Sequence, residues 1–182
     1  LRRSDIIIEK LIAIITIKLR RSDIIMQNQM ANTYTQIYIH IVFSVKGRQS
    51  LIQKSWKEEL HKYICGIVSG KEQKVYAIGG VADHIHILVS IKPNIVISDL
   101  VRDIKAHSSK WINEKRFVKG KFQWQEGFGA FSYAQSQLDT VIAYVNNQEL
   151  HHQKKSFRDE YMELLQKFDI TFDEKYLFEW IE

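Results

Sequence analysis

The sequence predicts an α+β protein in which a ferredoxin-like, split β-α-β antiparallel sheet is followed by added C-terminal helices. Two observations predict this class. The 182 residues, 45% of them hydrophobic, suffice for one core, and strand-like and helix-like segments follow in the order β-α-β-β-α-β. Proteins with this fold bind RNA, carry metals or cut nucleic acids, so function must be argued from a site.

The first half of the chain supplies three strand patterns and one helix. Alternation and β-branched residues predict a strand over 34–46, in YTQIYIHIVFSVK. Apolar residues at helical spacing predict a helix near 52–69, where the single cysteine, Cys65, is expected to be a small buried hydrophobe. KVYAIGGVADHIHILVSI contains two more strand-like runs around Gly79 and Gly80. One cysteine excludes a disulfide scaffold and fits a reducing cytoplasm.

The second half adds helices around one aromatic strand. The spacing of apolar residues predicts a helix over 97–115, with Ser98 as its N-cap. KFQWQEGFGAFSY predicts a strand over 121–133, bent at Gly127 and Gly129. Two further helices are predicted, over 136–152 and about 156–168.

The first 29 residues look foreign to the domain. LRRSDII occurs at 1–7 and again at 19–25, an offset that fits no solenoid, and Met30 follows. We expect 1–29 to be a leader translated from upstream DNA and 30–182 to be the folded domain. The longest uncharged stretch of the leader has seven residues, against about 20 needed to cross a bilayer. No membrane partner is expected, and the cytoplasm is the default location.

The net charge of +5 is unevenly distributed. Residues 30–155 carry 17 basic and 10 acidic residues, whereas 156–182 carry three and eight. A basic body with an acidic tail is compatible with a nucleic-acid partner. One basic run suits contact with a DNA backbone, although a solvated helix face explains it nearly as well; it comprises Arg102, Lys105, Lys110, Lys115 and Arg116.

Two histidines flank one isoleucine in GGVADHIHILVS. Side chains alternate across a strand, so His84 and His86 are expected on one face and Ile85 and Ile87 on the other. Two adjacent imidazoles form half of a metal site. Without further context, structural histidines are the favoured explanation of the triplet, so the metal interpretation needs support from elsewhere in the chain.

The helix after the last strand provides that context. Tyr144 and Gln148 are four residues apart and are expected on one helical face. Two imidazoles and one amide oxygen leave a divalent ion with open positions for phosphate oxygens. A tyrosine can attack a phosphodiester and keep its bond energy in a phosphotyrosine. Taken alone, Tyr144 fits an ordinary core tyrosine.

Four segments in order, DHIHILVS, WQEGFGAFSYAQSQ, VIAYVNNQELHHQKKSF and ITFDEKYLFEW, carry a family resemblance over about 33–181. The chain resembles the single-tyrosine HUH transposases of small bacterial insertion sequences, including REP-associated tyrosine transposases. The resemblance implies the HUH fold, His84 and His86 as metal ligands, Gln148 as the third ligand and Tyr144 as the nucleophile.

The resemblance also implies the reaction and the partners. Such enzymes use Mg²⁺ or Mn²⁺ to cut single-stranded DNA at hairpin-marked element ends, through a covalent 5′-phosphotyrosine, and they take no small-molecule substrate. They act as homodimers, often with the tyrosine helix completing the site of the other subunit. Two alternatives stay open: a domesticated, non-enzymatic binder of structured single strands, and a ferredoxin-like RNA-binding module, which predicts aromatic residues on the central strands.

Other residues have two interpretations each. His40 is expected to be structural unless its strand is central, and His152 is expected to cap the tyrosine helix or, four residues past Gln148, to face the site. The aromatic residues of the 121–133 segment could stack on bases, but core packing is favoured; they are Trp124, Phe128 and Phe131.

Overall fold

A four-stranded antiparallel sheet organises the part of the chain that the computed structural model describes, residues 33–173 and 177. The strand order is β2-β3-β1-β4, so the predicted α+β split β-α-β class is confirmed. The leader at 1–29 lies outside the described residues. The elements are β1 (Ile37–Ser44), α1 (Lys54–Gly70), β2 (Lys74–Val81), β3 (His84–Ile91), α2 (Ile97–Lys115), β4 (Gly129–Tyr133), α3 (Leu138–Asn146), α4 (Gln148–His151) and α5 (Phe157–Lys167).

The two faces of the sheet differ in chemistry because side chains alternate along β1 and β3. One face is wholly apolar: Ile41 and Ile87 pack there with Leu60 of α1 and Ile104 of α2, all fully buried. The opposite face is covered by α3 and α5 and carries buried histidines among its apolar residues. The buried histidines of the sheet itself therefore lie on one side of it.

Three predicted boundaries were wrong. The aromatic strand is short, because β4 begins at Gly129 and the preceding residues make only an isolated bridge between Trp124 and Val45. The N-cap of α2 is Val96 and no side chain caps it, so Ser98 does not have that role. The helix predicted over 136–152 is broken at Asn147, whose side chain donates to the carbonyl of Ala143 and competes with helical backbone bonding.

Helix α3 lies very close to strand β2. A Cβ placed on Gly79 would lie 1.9 Å from the carbonyl oxygen of Val145, so the two backbones are in direct contact there. Leu138, Val141 and Val145 of α3 pack with Leu88 of β3 beside this contact. Glycine at position 79 thus sets how closely the helix that carries Tyr144 approaches the sheet.

None of the helices in the described part of the chain is both long and apolar enough to span a membrane.

We expect Gly79→Ala to destabilise the protein by at least about 2 kcal/mol, because the new methyl group must displace helix backbone. The free energy of unfolding in urea measures this effect. Gly66→Ala is the matched control: Gly66 is exposed in the middle of α1 with no atom within 4 Å of the added Cβ, so helix propensity predicts a gain of up to about 1 kcal/mol. Equal stabilisation by both substitutions would contradict the close approach.

His61, on α1, makes stability sensitive to acid. Its side chain is 7% exposed, its Nε2 has no hydrogen-bond partner among the described residues, and burial lowers its pKa from 6.5 to about 4. A lowered histidine pKa means that the neutral form is favoured in the folded state. The free energy of unfolding therefore has its full value above about pH 6.5 and decreases as the pH falls from there towards 4.

We therefore expect the unfolding free energy to drop less in His61→Leu than in the parent when the pH is lowered from 7.5 to 5. The difference between the two drops should be about 2 kcal/mol. Denaturant titrations at both pH values check this difference. His107→Leu, an exposed change on α2, should follow the parent. If His61→Leu and the parent lose stability equally over this range, His61 is not the acid-sensitive group.

Candidate metal and tyrosine site

Strand β3 places two imidazoles side by side on the face covered by α3 and α5. His84 and His86 are both fully buried, and their ring centroids are 5.0 Å apart. The alternation expected from the sequence is therefore observed, with Ile85 and Ile87 in the apolar core on the other face. Two polar side chains without solvent access need partners from neighbouring elements.

Each of these histidines is oriented through its Nδ1 atom. His84 Nδ1 lies 2.7 Å from Asp83 Oδ1, and Arg48 forms an ion pair with the same aspartate. Burial raises the pKa of Asp83, but His84 and Arg48 outweigh that effect and lower it to about 2. His86 Nδ1 lies 2.9 Å from His40 Nε2, which comes from the central strand β1. His40 thus has a structural role beside the site.

The Nε2 atoms of His84 and His86 are the ones left available. Both are buried and neither has a hydrogen-bond partner among residues 33–173. Burial lowers the pKa of His84 to about 4, so its imidazole is neutral at physiological pH. A neutral imidazole whose Nδ1 donates to a carboxylate presents a free lone pair at Nε2, which is the arrangement typical of metal-ligating histidines.

Tyr144 and Gln148 reach the same place despite the helix break between them. The Tyr144 hydroxyl donates to Glu160 Oε1, and Gln148 Nε2 lies 3.0 Å from that same oxygen. The Tyr144 ring centroid is 5.9 Å from that of His86. Gln148 is buried, and its Oε1 has no hydrogen-bond partner within the described ranges. The structure therefore brings all four predicted site residues together.

Glu160, on α5, lies at the centre of the site and was not predicted. Its side chain is 2% exposed, with one oxygen facing Tyr144 and Gln148 and the other facing His86 and His152. The signal that could have found it is a carboxylate on the apolar face of an amphipathic helix. The buried residues on that face are Phe157, Glu160, Tyr161, Leu164 and Leu165.

His152 ends α4 as its C-cap residue and also faces the site, so both interpretations of this residue are observed. Its ring centroid is 4.5 Å from that of His84, and its Nε2 is 3.0 Å from Glu160 Oε2. Four ligand atoms, one each from His84, His86, His152 and Glu160, lie within 4.8 Å of one another. Nitrogen and carboxylate donors at this separation, two of them buried and unpaired, fit a divalent cation.

Electrostatics in the site set the ionisation of the tyrosine and the glutamate. Burial raises the pKa of Glu160, but the neighbouring His152 and His86 imidazoles and the Tyr144 hydroxyl outweigh it and hold the pKa well below its usual range. Burial and the adjacent Glu160 carboxylate raise the pKa of Tyr144 well above 10. The phenol is therefore protonated, with an ionised carboxylate as its hydrogen-bond acceptor.

A cavity of about 580 Å³ opens onto the tyrosine side of the site. Tyr144 and Glu160 line this cavity, together with Tyr133 and Lys167. His84 and His86 are fully buried and are not among its lining residues. A ligand in this cavity would therefore lie beside Tyr144 and Glu160.

The five cations predicted to contact DNA do not lie at this site. They belong to α2 and its C-terminus, and α2 packs on the apolar face of the sheet. Burial lowers the pKa of Lys105 to about 8, and its Nζ donates to the carbonyl of Gln125. Three others have acidic neighbours, and Arg116 ends the helix in a left-handed conformation. DNA binding by Arg102, Lys105, Lys110, Lys115 and Arg116 stays a prediction.

The aromatic residues of the 121–133 segment pack in the core, as favoured. Phe131 is fully buried, Trp124 is buried against Phe43, and Phe128 packs partly buried against the same apolar cluster. Trp124 Nε1 also donates to Ser108 Oγ at 2.9 Å, so its one polar atom is paired. The central strands carry histidines rather than exposed aromatic residues on the functional face, which fits an RNA-binding module poorly.

Two solved structures that resemble this chain carry the name transposase. One, from Deinococcus radiodurans R1 and provisionally named a transposase, has a TM-score of 0.52 and 18% identity, over 64% of this chain and 94% of its own. Another is a REP-associated tyrosine transposase bound to a REP hairpin, with a TM-score of 0.52 and 14% identity, over 66% of this chain and 72% of its own. At these identities the likeness establishes a shared fold.

The family itself is identified from the sequence. No protein with a curated description matches the chain. The model of the IS200-like transposase family matches residues 33–148, more than half of the chain, and this range includes His84, His86, Tyr144 and Gln148. The chain therefore belongs to the IS200-like transposase family, the single-tyrosine HUH transposases of small bacterial insertion sequences.

Proposed function

We propose that this transposase cuts and rejoins single-stranded DNA at hairpin-marked element ends through a covalent 5′-phosphotyrosine on Tyr144. We further propose that Mg²⁺ or Mn²⁺ assists, held by His84, His86 and Gln148. One observation carries the proposal: the Tyr144 hydroxyl and the free Nε2 atoms of both histidines face opposite oxygens of the same carboxylate, Glu160. The candidate nucleophile and the candidate metal ligands are thus separated only by the carboxylate of Glu160.

The chain's own residues account for the atoms that move. Tyr144 Oη attacks the phosphorus and its proton passes to Glu160 Oε1, with which it is hydrogen-bonded. The bond from phosphorus to the 3′ oxygen breaks, and that oxygen leaves as a hydroxyl by taking up a proton from water, while Glu160 returns its proton to the solvent. Attack by the same or another 3′ hydroxyl reverses the step and frees Tyr144. A bound divalent ion would supply positive charge to the phosphate oxygens and to the developing phenolate.

The substrate proposal rests on the likeness to a transposase solved with a REP hairpin and on the shape of the site. The cavity beside Tyr144 is bordered by Lys167, a cation suited to a phosphate, and by Tyr133, an aromatic ring suited to a base. The homodimer remains a prediction from the family. Tyr144, His84, His86 and Gln148 lie together within one chain, which supports a site in which the tyrosine acts in cis.

Tyr144→Phe is expected to abolish the covalent protein–DNA adduct, a loss on the order of 10³-fold or more, because the attacking oxygen is removed. The assay is incubation with end-labelled single-stranded DNA from the flank of the native element, containing its hairpin, and Mn²⁺, followed by denaturing electrophoresis. Tyr161→Phe, a buried tyrosine of α5, is the control and should keep the adduct. If the parent protein forms no covalent adduct with any genuine element end, the chain is better described as a domesticated, non-enzymatic binder.

His84→Ala is expected to lose cleavage while hairpin affinity changes less than about threefold. The substitution removes a candidate metal ligand without touching an exposed surface. Cleavage rates and hairpin binding in EDTA should be measured on the same preparation. His107→Ala, exposed on α2, serves as the control. Cleavage that survives His84→Ala would exclude a metal role for this histidine.

A further inference from the structure

Three imidazole nitrogens surround a single carboxylate oxygen in the site. Glu160 Oε2 lies 3.0 Å from His152 Nε2, 3.4 Å from His86 Nε2 and 3.8 Å from His84 Nε2. Ligands bonded to one ion at about 2.1 Å are separated from each other by about 3.0–3.5 Å. The His152 and His86 distances lie in this range, and the His84 distance is slightly longer, so a bound ion would draw His84 closer to Glu160 Oε2.

In His152, as in His84, Nδ1 is hydrogen-bonded to an oxygen, so Nε2 is the ring atom that can bind a metal. His152 Nδ1 lies 2.9 Å from the carbonyl oxygen of Lys155, and a carbonyl oxygen can only accept. The Nδ1 atom therefore carries a proton, which leaves Nε2 as the atom that can bind a metal. His152 Nε2 lies 3.0 Å from Glu160 Oε2, so one cation could contact both atoms.

The charge of Glu160 also favours a cation in this place. Its carboxylate is almost wholly buried, and within the part of the chain described its ionic partners are histidines rather than lysines or arginines. Burying an ionised carboxylate is costly unless a positive charge accompanies it. A divalent cation among the Nε2 atoms would provide that charge and satisfy the unpaired nitrogens of His84 and His86.

We propose that His152 and Glu160 join His84 and His86 as direct ligands of one metal site with three nitrogen donors and one carboxylate oxygen. The inference rests on the proposed function for His84 and His86 as ligands and adds the other two. Imidazole donors suit Mn²⁺, Co²⁺ and Zn²⁺, whereas Mg²⁺ prefers oxygen ligands and keeps its waters. The site therefore selects a transition-metal ion over Mg²⁺.

The test measures metal binding to the full chain without DNA. Mn²⁺ is titrated by electron paramagnetic resonance, and Co²⁺ by its visible absorption, which reports nitrogen donors. Glu160→Gln and His152→Ala are each expected to weaken Mn²⁺ binding at least about 10-fold and to change the Co²⁺ spectrum. Millimolar Mg²⁺ should not displace Mn²⁺ from the parent protein.

Matched controls separate ligand loss from misfolding. Glu163→Gln alters an exposed carboxylate on the same helix, where it pairs with Lys155, and His107→Ala alters an exposed imidazole on α2. Both should bind Mn²⁺ as the parent does. Glu160→Asp keeps a carboxylate and should bind Mn²⁺ more tightly than Glu160→Gln. Circular dichroism of each variant confirms the fold.

The outcomes distinguish this inference from the proposed function. Unchanged Mn²⁺ affinity and Co²⁺ spectra in folded Glu160→Gln and His152→Ala would overturn it, as would a parent protein that binds neither ion. If only His84→Ala loses the metal, the smaller site of the proposed function stands and His152 and Glu160 are not ligands. If all four residues control binding but Tyr144 forms no DNA adduct, the metal site stands and the transposase chemistry fails.

Discussion

The buried carboxylate of Glu160 is the contact on which the functional half of the structure depends. It joins three separate helical segments to the sheet, because Tyr144 lies on α3, Gln148 on α4, Glu160 on α5 and His86 on β3. A polar interior of this kind would weaken a layer held only by apolar contacts. Here polar side chains from β3, α3 and α4 bond to the carboxylate or face it, so the site also organises the packing of the helices that cover it.

The two faces of the sheet have different roles, one in stability and one in holding the candidate site. The face against α1 and α2 is apolar throughout and supplies most of the stabilising burial. The other face gives up part of that burial to hold histidines, and apolar side chains of α5 enclose them; the Phe157 ring centroid is 4.2 Å from that of His84. Enclosure lowers the local dielectric constant, which strengthens every charge interaction inside the site.

Local periodicity predicted those parts of the site that depend on neighbours in the sequence. His84 and His86 share a face because a strand repeats every two residues, and α2 begins and ends where its apolar spacing indicated. Asp83 was overlooked although it adjoins His84 in sequence, since nothing in the pattern shows which way its side chain turns. Glu160 could not be assigned from its own helix, because its partners come from four other segments.

The contact between Gly79 and Val145 has a consequence for strand exchange. Val145 adjoins Tyr144, so the backbone of the nucleophile is seated against the sheet, and the tyrosine can reorient mainly by rotation of its own side chain. Under the proposed chemistry the linked 5′ end would then stay docked at one point of the protein while the other DNA ends come and go. Exchange of strands would be limited by how long an incoming 3′ end takes to find that stationary phosphotyrosine, and so by the length and stiffness of the DNA between the hairpin and the cut.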